Sequence, residues 1–455
     1  MQLRRLMMQK RKEGVVDLSL QDVYGNPIKQ STANCYVVSK PGIYKFPCVY
    51  GNAIKNGKTN AAAYTNNGGT RSHDFVDGTN VVISSPYIEF GPNENTVSLR
   101  NYDTEDVIQD LSVDIDSGYI TFSVADVPTT GANAIVTLWT DGFPIWSWHI
   151  WLWPHDLSPV TITNASTVQY NIMPVNLATK YDPGLSYMKN WFYQYGRPMP
   201  LLCPDDYNSS SNHIPGSISI SITATNLYEG IQNPNTFYKK ESTYYNWFSV
   251  KSGMAYNLWN SARRNYGLMS ETIKTVYDPC PVGWKVPTSD VFDALTLDNT
   301  GEDYVIVNDS VAKEFEFNLT GMRSPSSGEI VTKTLGCYAV ETLARISGSI
   351  MMHGWYMSHG SGVYQGSGME LSSGTSIRPV EDEFGDVIRF TINGTTYQAE
   401  KGMTWFEWVL SGYNTGGYYL ESENVRYDSN LVVGGADLNT VIIEGETYYH
   451  LISAG

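Results

Sequence analysis

Between Tyr277 and Thr288 the chain reads Tyr-Asp-Pro-Cys-Pro-Val-Gly-Trp-Lys-Val-Pro-Thr. Three prolines and a glycine in so short a run exclude a regular helix or strand, because each proline fixes φ and removes a backbone donor. The result is a rigid, irregular turn with Trp284 as its apolar anchor. Pro287-Thr288-Ser289-Asp290 then predicts a short helix, with a hydroxyl at the cap and an acid in the first turn. Val291, Phe292 and Leu295 follow at helical spacing. This is a scaffold signature, with no catalytic pattern in it, and it points to a surface-exposed recognition module.

Three modules are expected in the 455 residues, after a basic leader or truncated end at 1–14 that carries Arg4, Arg5, Lys10, Arg11 and Lys12. The first, 15–156, is read as an Ig-like antiparallel β-sandwich. Its short β-type runs include Cys35–Val38, Val81–Ile83, Thr96–Leu99 and Tyr119–Val124, separated by turn residues. Its clearest element is a hairpin, Ala134–Trp139 turning at Asp141-Gly142 and returning as Ile145–Trp153. On an unbroken strand Trp146 and Trp148 share one face while Trp151 and Trp153 share the other, so at least two of them belong in the core.

The second module, 160–382, is mixed α+β. Met254–Asn265 has helical character, with Ala255, Leu258, Trp259 and Ala262 on one face. Strand-like runs lie at Ser217–Ile222 and Phe315–Leu319. Long Asn-, Ser- and Gly-rich loops are expected at Asn208–Asn212 and Ser358–Gly368. The third module, 386–455, is read as a small β-grasp-like unit. Val387–Ile392 turns at Asn393-Gly394 into Thr396–Ala399, Thr404 and Glu407 are spaced as a capping box ahead of Trp405 and Trp408, and further strands follow at Leu431–Val433, Thr440–Ile443 and Thr447–Leu451.

The proline-rich turn and the short helix after it resemble the Fibrobacter-type major paralogous (FISUMP) domain, a C-type-lectin-like family of gut Bacteroidota surface proteins. Other segments fall in that family's order: Asn176-Leu177-Ala178, Tyr193-Gln194-Tyr195-Gly196-Arg197, Leu319-Thr320-Gly321-Met322-Arg323 and Ser376-Ile377-Arg378-Pro379-Val380. Together they cover about half the chain. Many members of the family close with Arg-Cys; here Pro379 follows Arg378, so the partner the resemblance implies for Cys280 is missing. Asn34–Val38 and Trp146–Trp151 are similar to a region found ahead of the lectin-like module in fimbrillin-related proteins, which implies a non-catalytic spacer. The third module resembles short terminal modules of gut bacterial and phage structural proteins.

Composition excludes several classes. A formal charge of −16 repels a phosphate backbone and disfavours nucleic acid as a partner. With only 17% charged residues, long solvated helices and coiled coils are not expected. No stretch is long enough for a membrane span, and Met1–Lys12 lacks the apolar core of a secretory signal. The five cysteines, Cys35, Cys48, Cys203, Cys280 and Cys337, contain no C-x-x-C pair, so no zinc site is expected, and either buried thiols or one or two disulfides would fit.

No nucleophile elbow, phosphate loop or H-E-x-x-H pair is present, so no catalytic residue, metal or cofactor is assigned. His353 and His359 lie six apart beside Trp355, as an exposed loop or a metal pair, and His149 reads as a hydrogen-bonded strand residue. Asn233-Pro234-Asn235 and Gly91-Pro92-Asn93-Glu94 echo half of a calcium-lectin motif, without the second half. Aromatic loops are the better binding signal, because Tyr and Trp stack on sugars and peptides at low entropic cost. The candidate ligand-binding residues are Tyr244, Tyr245, Trp247, Trp355, Tyr356, His359 and Tyr364. Trp259 and Trp284 are assigned to structure.

These readings converge on a non-enzymatic extracellular adhesion or recognition protein of a cell or virion surface. It would bind glycan or a surface protein, with the terminal module as an assembly interface. A structural or receptor-binding protein of a gut phage virion is the alternative; an enzyme of the sulfatase-modifying type, which shares the lectin-like fold, is a more distant one.

Overall fold

Strands dominate the chain, as its content of aromatic and β-branched residues requires. The computed structural model describes residues 14–382 except 70, 182–187, 202–218, 222, 241–244, 250–254, 270–271, 302–303, 332–334, 359–360 and 366–367, and five strands further on. The described residues form two compact units, divided after Glu381. Residues 1–13 of the basic stretch lie outside the described residues.

The first unit opens with a short strand pair, Ile54–Lys55 and Lys58–Thr59, and eight strands that form its main sheets: β1 (Val15–Asp17), β2 (Cys35–Val38), β3 (Gly42–Pro47), β4 (Asn95–Tyr102), β5 (Gln109–Asp114), β6 (Tyr119–Val124), β7 (Ala132–Thr140) and β8 (Phe143–Leu152). They make two four-stranded sheets, ordered β1-β3-β6-β5 and β2-β8-β7-β4. The β7–β8 hairpin turns at Asp141 and Gly142, both at positive φ (51° and 82°), the conformation that matches the twist of paired strands. Val81–Ile83 is not a strand; Val82 makes one isolated bridge to Val76, and both Val81 and Val82 are exposed.

The two sheets differ in what covers them. Strand β6 alternates buried and half-buried residues, so one face meets the core and the other meets water. Strands β7 and β8 are buried almost continuously, so both faces are covered. On the inner face Phe46 packs against Tyr36 and Trp148, with ring centroids 5.0 and 5.2 Å away. On the outer face His149 stacks on Trp191 at 6.0 Å, and the Trp151 indole donates to the Thr179 carbonyl at 2.9 Å. All four tryptophans of β8 and the residue after it are buried, two more than strand alternation alone requires.

The covering layer is the middle of the chain. Its first and last strands lie in one sheet: β9 (Val160–Thr163), β10 (Gln169–Ile172), β11 (Trp284–Lys285) and β18 (Val380–Glu381), ordered β9-β10-β18-β11. Between them a three-stranded meander, β12 (Thr296–Thr300), β13 (Tyr304–Asn308) and β14 (Glu314–Asn318), packs Phe317 edge-on to Phe292 and Tyr338. A second three-stranded sheet joins β15 (Leu335–Tyr338), β16 (Trp355–Ser358) and β17 (Gly362–Gln365), so much of the loop expected at Ser358–Gly368 is a strand. The Ser217–Ile222 run supplies a short strand, Ser219–Ser221, parallel to Thr236–Tyr238.

The expected helix at Met254–Asn265 is not formed; its described part, from Ala255, is a series of turns. Asparagine side chains compete successfully for the backbone. Asn257 exchanges two hydrogen bonds with the His73 backbone, at 2.8 and 2.9 Å, and the Asn260 side-chain oxygen accepts from the amides of Ala262 and Ile273 at 3.1 and 3.0 Å. The helix after Pro287 is a single 3₁₀ turn, Ser289–Phe292. The Thr288 hydroxyl does not cap it. Instead the Ser289 amide donates to the Thr342 hydroxyl at 3.0 Å, and Asp290 accepts from the Tyr170 hydroxyl at 2.6 Å.

The second unit is one five-stranded sheet: β19 (Val387–Ile392), β20 (Thr395–Glu400), β21 (Gly417–Leu420), β22 (Val425–Tyr427) and β23 (Thr447–Leu451), ordered β20-β19-β23-β21-β22. Its first and last strands run parallel at the centre. The expected Thr404–Trp408 helix and the runs at Leu431–Val433 and Thr440–Ile443 lie outside the described residues.

Candidate recognition surface

The proline-rich turn, which the sequence marks as the scaffold of the middle module, is built into the sandwich. Asn34 donates to the carbonyls of Val276 and Asp278, at 2.5 and 2.8 Å, and accepts from the Trp146 indole at 3.1 Å. Asn52 donates to the carbonyls of Thr275 and Asp278 at 2.6 and 3.2 Å. The Tyr277 hydroxyl bonds both the amide and the carbonyl of Val76 at 2.6 Å, while its ring stacks on Trp146. A methyl group added at Gly51 would sit 2.3 Å from the Val276 carbonyl, so this close approach needs glycine. One hydrophobic core runs through both modules, from Leu18 and Phe46 to Trp259, Cys280 and Ile377.

Inside the turn, Asp278 accepts from the amides of Cys280 and Val286 at 2.8 and 3.0 Å, and Lys274 donates to the carbonyls of Cys280 and Pro281, each at 2.9 Å. Trp284 is buried. Cys35, Cys48, Cys280 and Cys337 are buried free thiols, and burial raises the pKa of each, Cys48 to about 12. Cys203 lies outside the described residues.

The polar residues of the other motifs are likewise spent on the fold. Arg197 is fully buried, its guanidinium donating to the carbonyls of Thr236, Gly230 and Asn233 at 2.5, 2.9 and 2.9 Å, and burial lowers its pKa to about 10. Gln194 donates to the carbonyls of Tyr238 and Ser372, both at 2.7 Å. Arg378 lies 4.5 Å above the Phe317 ring and donates to Asn176 and the Pro174 carbonyl, both at 2.8 Å. Arg323 donates to the Gly328 carbonyl at 2.9 Å. Arg263 and Glu341 form a fully buried ion pair at 2.6 Å. His149 is the hydrogen-bonded strand residue expected: Nε2 meets the Asn133 side-chain oxygen at 2.9 Å, and burial lowers its pKa to about 3.

The candidate aromatic residues divide sharply by burial. Trp247 is fully buried: its indole donates to the Tyr195 carbonyl at 2.7 Å, and its ring packs on Phe248 and under Arg197. Trp355, 6% exposed, donates to the Ser289 carbonyl at 2.8 Å. Neither offers a ring face to a partner, because each closes a gap in the core. Tyr245 is half-buried, at φ 57°, with the Lys240 ammonium 5.1 Å from its ring. Tyr244 and His359 lie outside the described residues. His353 is half-buried, and desolvation lowers its pKa. Among the described residues no cluster of three or more His, Cys, Asp or Glu side chains is placed to hold a metal.

Tyr356 and Tyr364 come together. In the register of the β15-β16-β17 sheet, Cys337, Tyr356 and Tyr364 lie side by side on one face, while Tyr338, Trp355 and Met357 point into the core on the other. Burial falls across that first row. Cys337 is buried, Tyr356 half-buried, and Tyr364 38% exposed. The two tyrosine rings stack at 5.5 Å with planes 13° apart. This ladder is the described aromatic surface nearest to what the sequence predicts. The pairing was hidden in the sequence because the strand at Gly362–Gln365 lies in a Gly/Ser-rich stretch. Comparison with protein-family models, with curated proteins and with solved structures returns no match.

Proposed function

We propose that this chain is a non-enzymatic recognition or adhesion protein that presents an aromatic surface to a glycan or surface protein outside the cell, on a cell or virion surface. The observation that carries this reading is the tyrosine ladder, in which Tyr364 stacks on a half-buried Tyr356 and offers its other face to solvent. A pre-ordered ring loses little entropy when a sugar or peptide stacks on it.

The FISUMP resemblance fits this role. Its motif residues Gln194, Arg197, Arg323 and Arg378 hold backbone carbonyls and build a rigid frame. The pairing of β10 with β18, which brings the ends of the middle module together, supports a C-type-lectin-like arrangement, and the two packed sheets before it support an Ig-like sandwich. The parallel first and last strands of the second unit support a β-grasp-like module for attachment or assembly. The shared core makes the sandwich part of the presenting frame, in addition to any spacing it provides.

The test is a glycan array and a cell-surface binding screen with the full chain, since part of the middle module packs into a core shared with the sandwich. Binding that falls at least about tenfold in Tyr364→Ala, at unchanged thermal stability, is the expected result for loss of one stacking anchor. Binding that is insensitive to Tyr364, or a complete absence of binding, refutes the assignment of the ladder.

A further inference from the structure

A second surface is unusual for so acidic a chain. Arg71, Arg264 and Arg345 come from three separate segments and are all exposed. Arg71 donates to the Tyr256 hydroxyl at 3.2 Å, its guanidinium 5.4 Å from that ring, and the bridge between Gly267 and Leu343 sets the segment of Arg264 and Tyr266 beside the strand of Arg345. The Arg264 side chain passes beside Gly69, 3.7 Å from where a Cβ would stand, in the loop that carries Arg71. Among the described residues no carboxylate pairs with any of the three, although the chain has 46 acidic against 30 basic residues.

The backbone under this surface is held from below. Buried Arg263, paired with Glu341, donates to the carbonyls of Asn265 and Gly267 at 3.1 and 2.7 Å, and the Gly267 amide donates to the Leu343 carbonyl at 2.7 Å. The exposed Tyr266 (40%) and Leu268 (57%) are thereby fixed beside the strand that carries Arg345.

We propose that Arg264, Arg345 and Tyr266, with Arg71 at the edge, form a binding surface for an anionic saccharide bearing carboxylate or sulfate groups. This deepens the recognition reading and rests on it. A guanidinium meets a carboxylate or sulfate with two parallel hydrogen bonds, and the adjacent ring accepts the apolar face of a sugar. A nucleic acid, with about one charge per 1.7 Å of duplex axis, is opposed by the net charge of −16 more strongly than a saccharide that carries about one charge per sugar residue.

The experiment measures binding of the full chain to immobilised polygalacturonate, chondroitin sulfate, neutral dextran and polyglutamate at physiological salt. Binding to either anionic polysaccharide, with none to dextran or polyglutamate, is the expected result. The R264E/R345E variant should lose at least about a hundredfold in affinity, roughly tenfold per charged contact. The control variant K40E/K58E, with the same change in net charge at exposed sites elsewhere, should bind as the unaltered chain does. Y266S, which leaves every charge in place, guards against a folding defect and should weaken binding by about tenfold. Equal binding to polyglutamate, an equal loss in the control, or no anionic binding overturns the proposal. If the unaltered chain binds a glycan through Tyr364 but neither anionic polymer, this surface fails and the tyrosine ladder stands; if the unaltered chain binds nothing, both fail.

Discussion

Asn34→Ala is the sharpest probe of the joint between the sandwich and the proline-rich turn. The side chain makes three buried hydrogen bonds, two as donor to the carbonyls of Val276 and Asp278 and one as acceptor from the Trp146 indole. Alanine cannot replace any of them, and Asn34 is fully enclosed, so water does not reach the orphaned groups without opening the core. At about 1–1.5 kcal/mol for each lost bond, with the unsatisfied carbonyls adding to it, the expected cost is about 3–5 kcal/mol. That is a large share of the roughly 5–15 kcal/mol that holds a typical domain folded. Hydrogen exchange read by mass spectrometry locates the loss. Peptides covering β2 and β8 and peptides covering residues 275–286 should lose protection together, by the same free energy, because one core serves both. Loss confined to one side, or a change below about 1 kcal/mol, would refute the claim that the two modules form a single cooperative unit.

Three further predictions follow from particular side chains. Burial lowers the His149 pKa to about 3, so the unfolded chain binds the extra proton between roughly pH 6.5 and 3; stability is fully present above the unfolded value and is lost as pH falls through that window, by up to about 1.4 kcal/mol per pH unit. His149→Gln, which keeps a donor for Asn133, should flatten this slope in denaturant titrations, and an unchanged slope would exclude His149 as its source. Glu341→Gln leaves the Arg263 charge buried without its counter-ion and should cost about 3–5 kcal/mol in chemical denaturation, whereas the apolar pair R263M/E341L should recover much of the loss. Trp355→Ala should cost about 3–5 kcal/mol of stability by opening a cavity, while Tyr364→Ala should shift the melting temperature little; the reverse order would show that the burial of these two rings has been misjudged.

Local chemistry was legible in the sequence wherever a residue leaves the backbone no choice. The Asp141-Gly142 turn, the rigid segment from Asp278 to Pro287 that contains Trp284, and the antiparallel pairing of Val387–Ile392 with Thr395–Glu400 follow from φ preferences and strand period. The mainly β character follows from the same signals. Strand alternation placed at least two of the four tryptophans Trp146, Trp148, Trp151 and Trp153 in the core; that both faces of β8 are covered was decided by the packing of the middle of the chain on it. The Leu258-Trp259 segment misled because apolar spacing matched a helix while its asparagines bonded to distant backbone, which no local window contains.

The sequence by itself determined the mainly β character, the Asp141-Gly142 turn and the rigidity of the proline-rich segment, because those properties depend on neighbours along the backbone. Only the tertiary structure decided which aromatics are spent and which are offered. Trp247 and Trp355 close the core, whereas Tyr364 reaches solvent across a register set by pairing with Tyr356. It also joined the sandwich and the proline-rich turn through Asn34, Asn52 and Tyr277, and brought the segment of Arg264 beside both the loop of Arg71 and the strand of Arg345. The physical reason is that burial and hydrogen-bond satisfaction are settled by partners that local periodicity does not reach, 52 positions away for Trp247, 66 for Trp355 and 242 for Asn34.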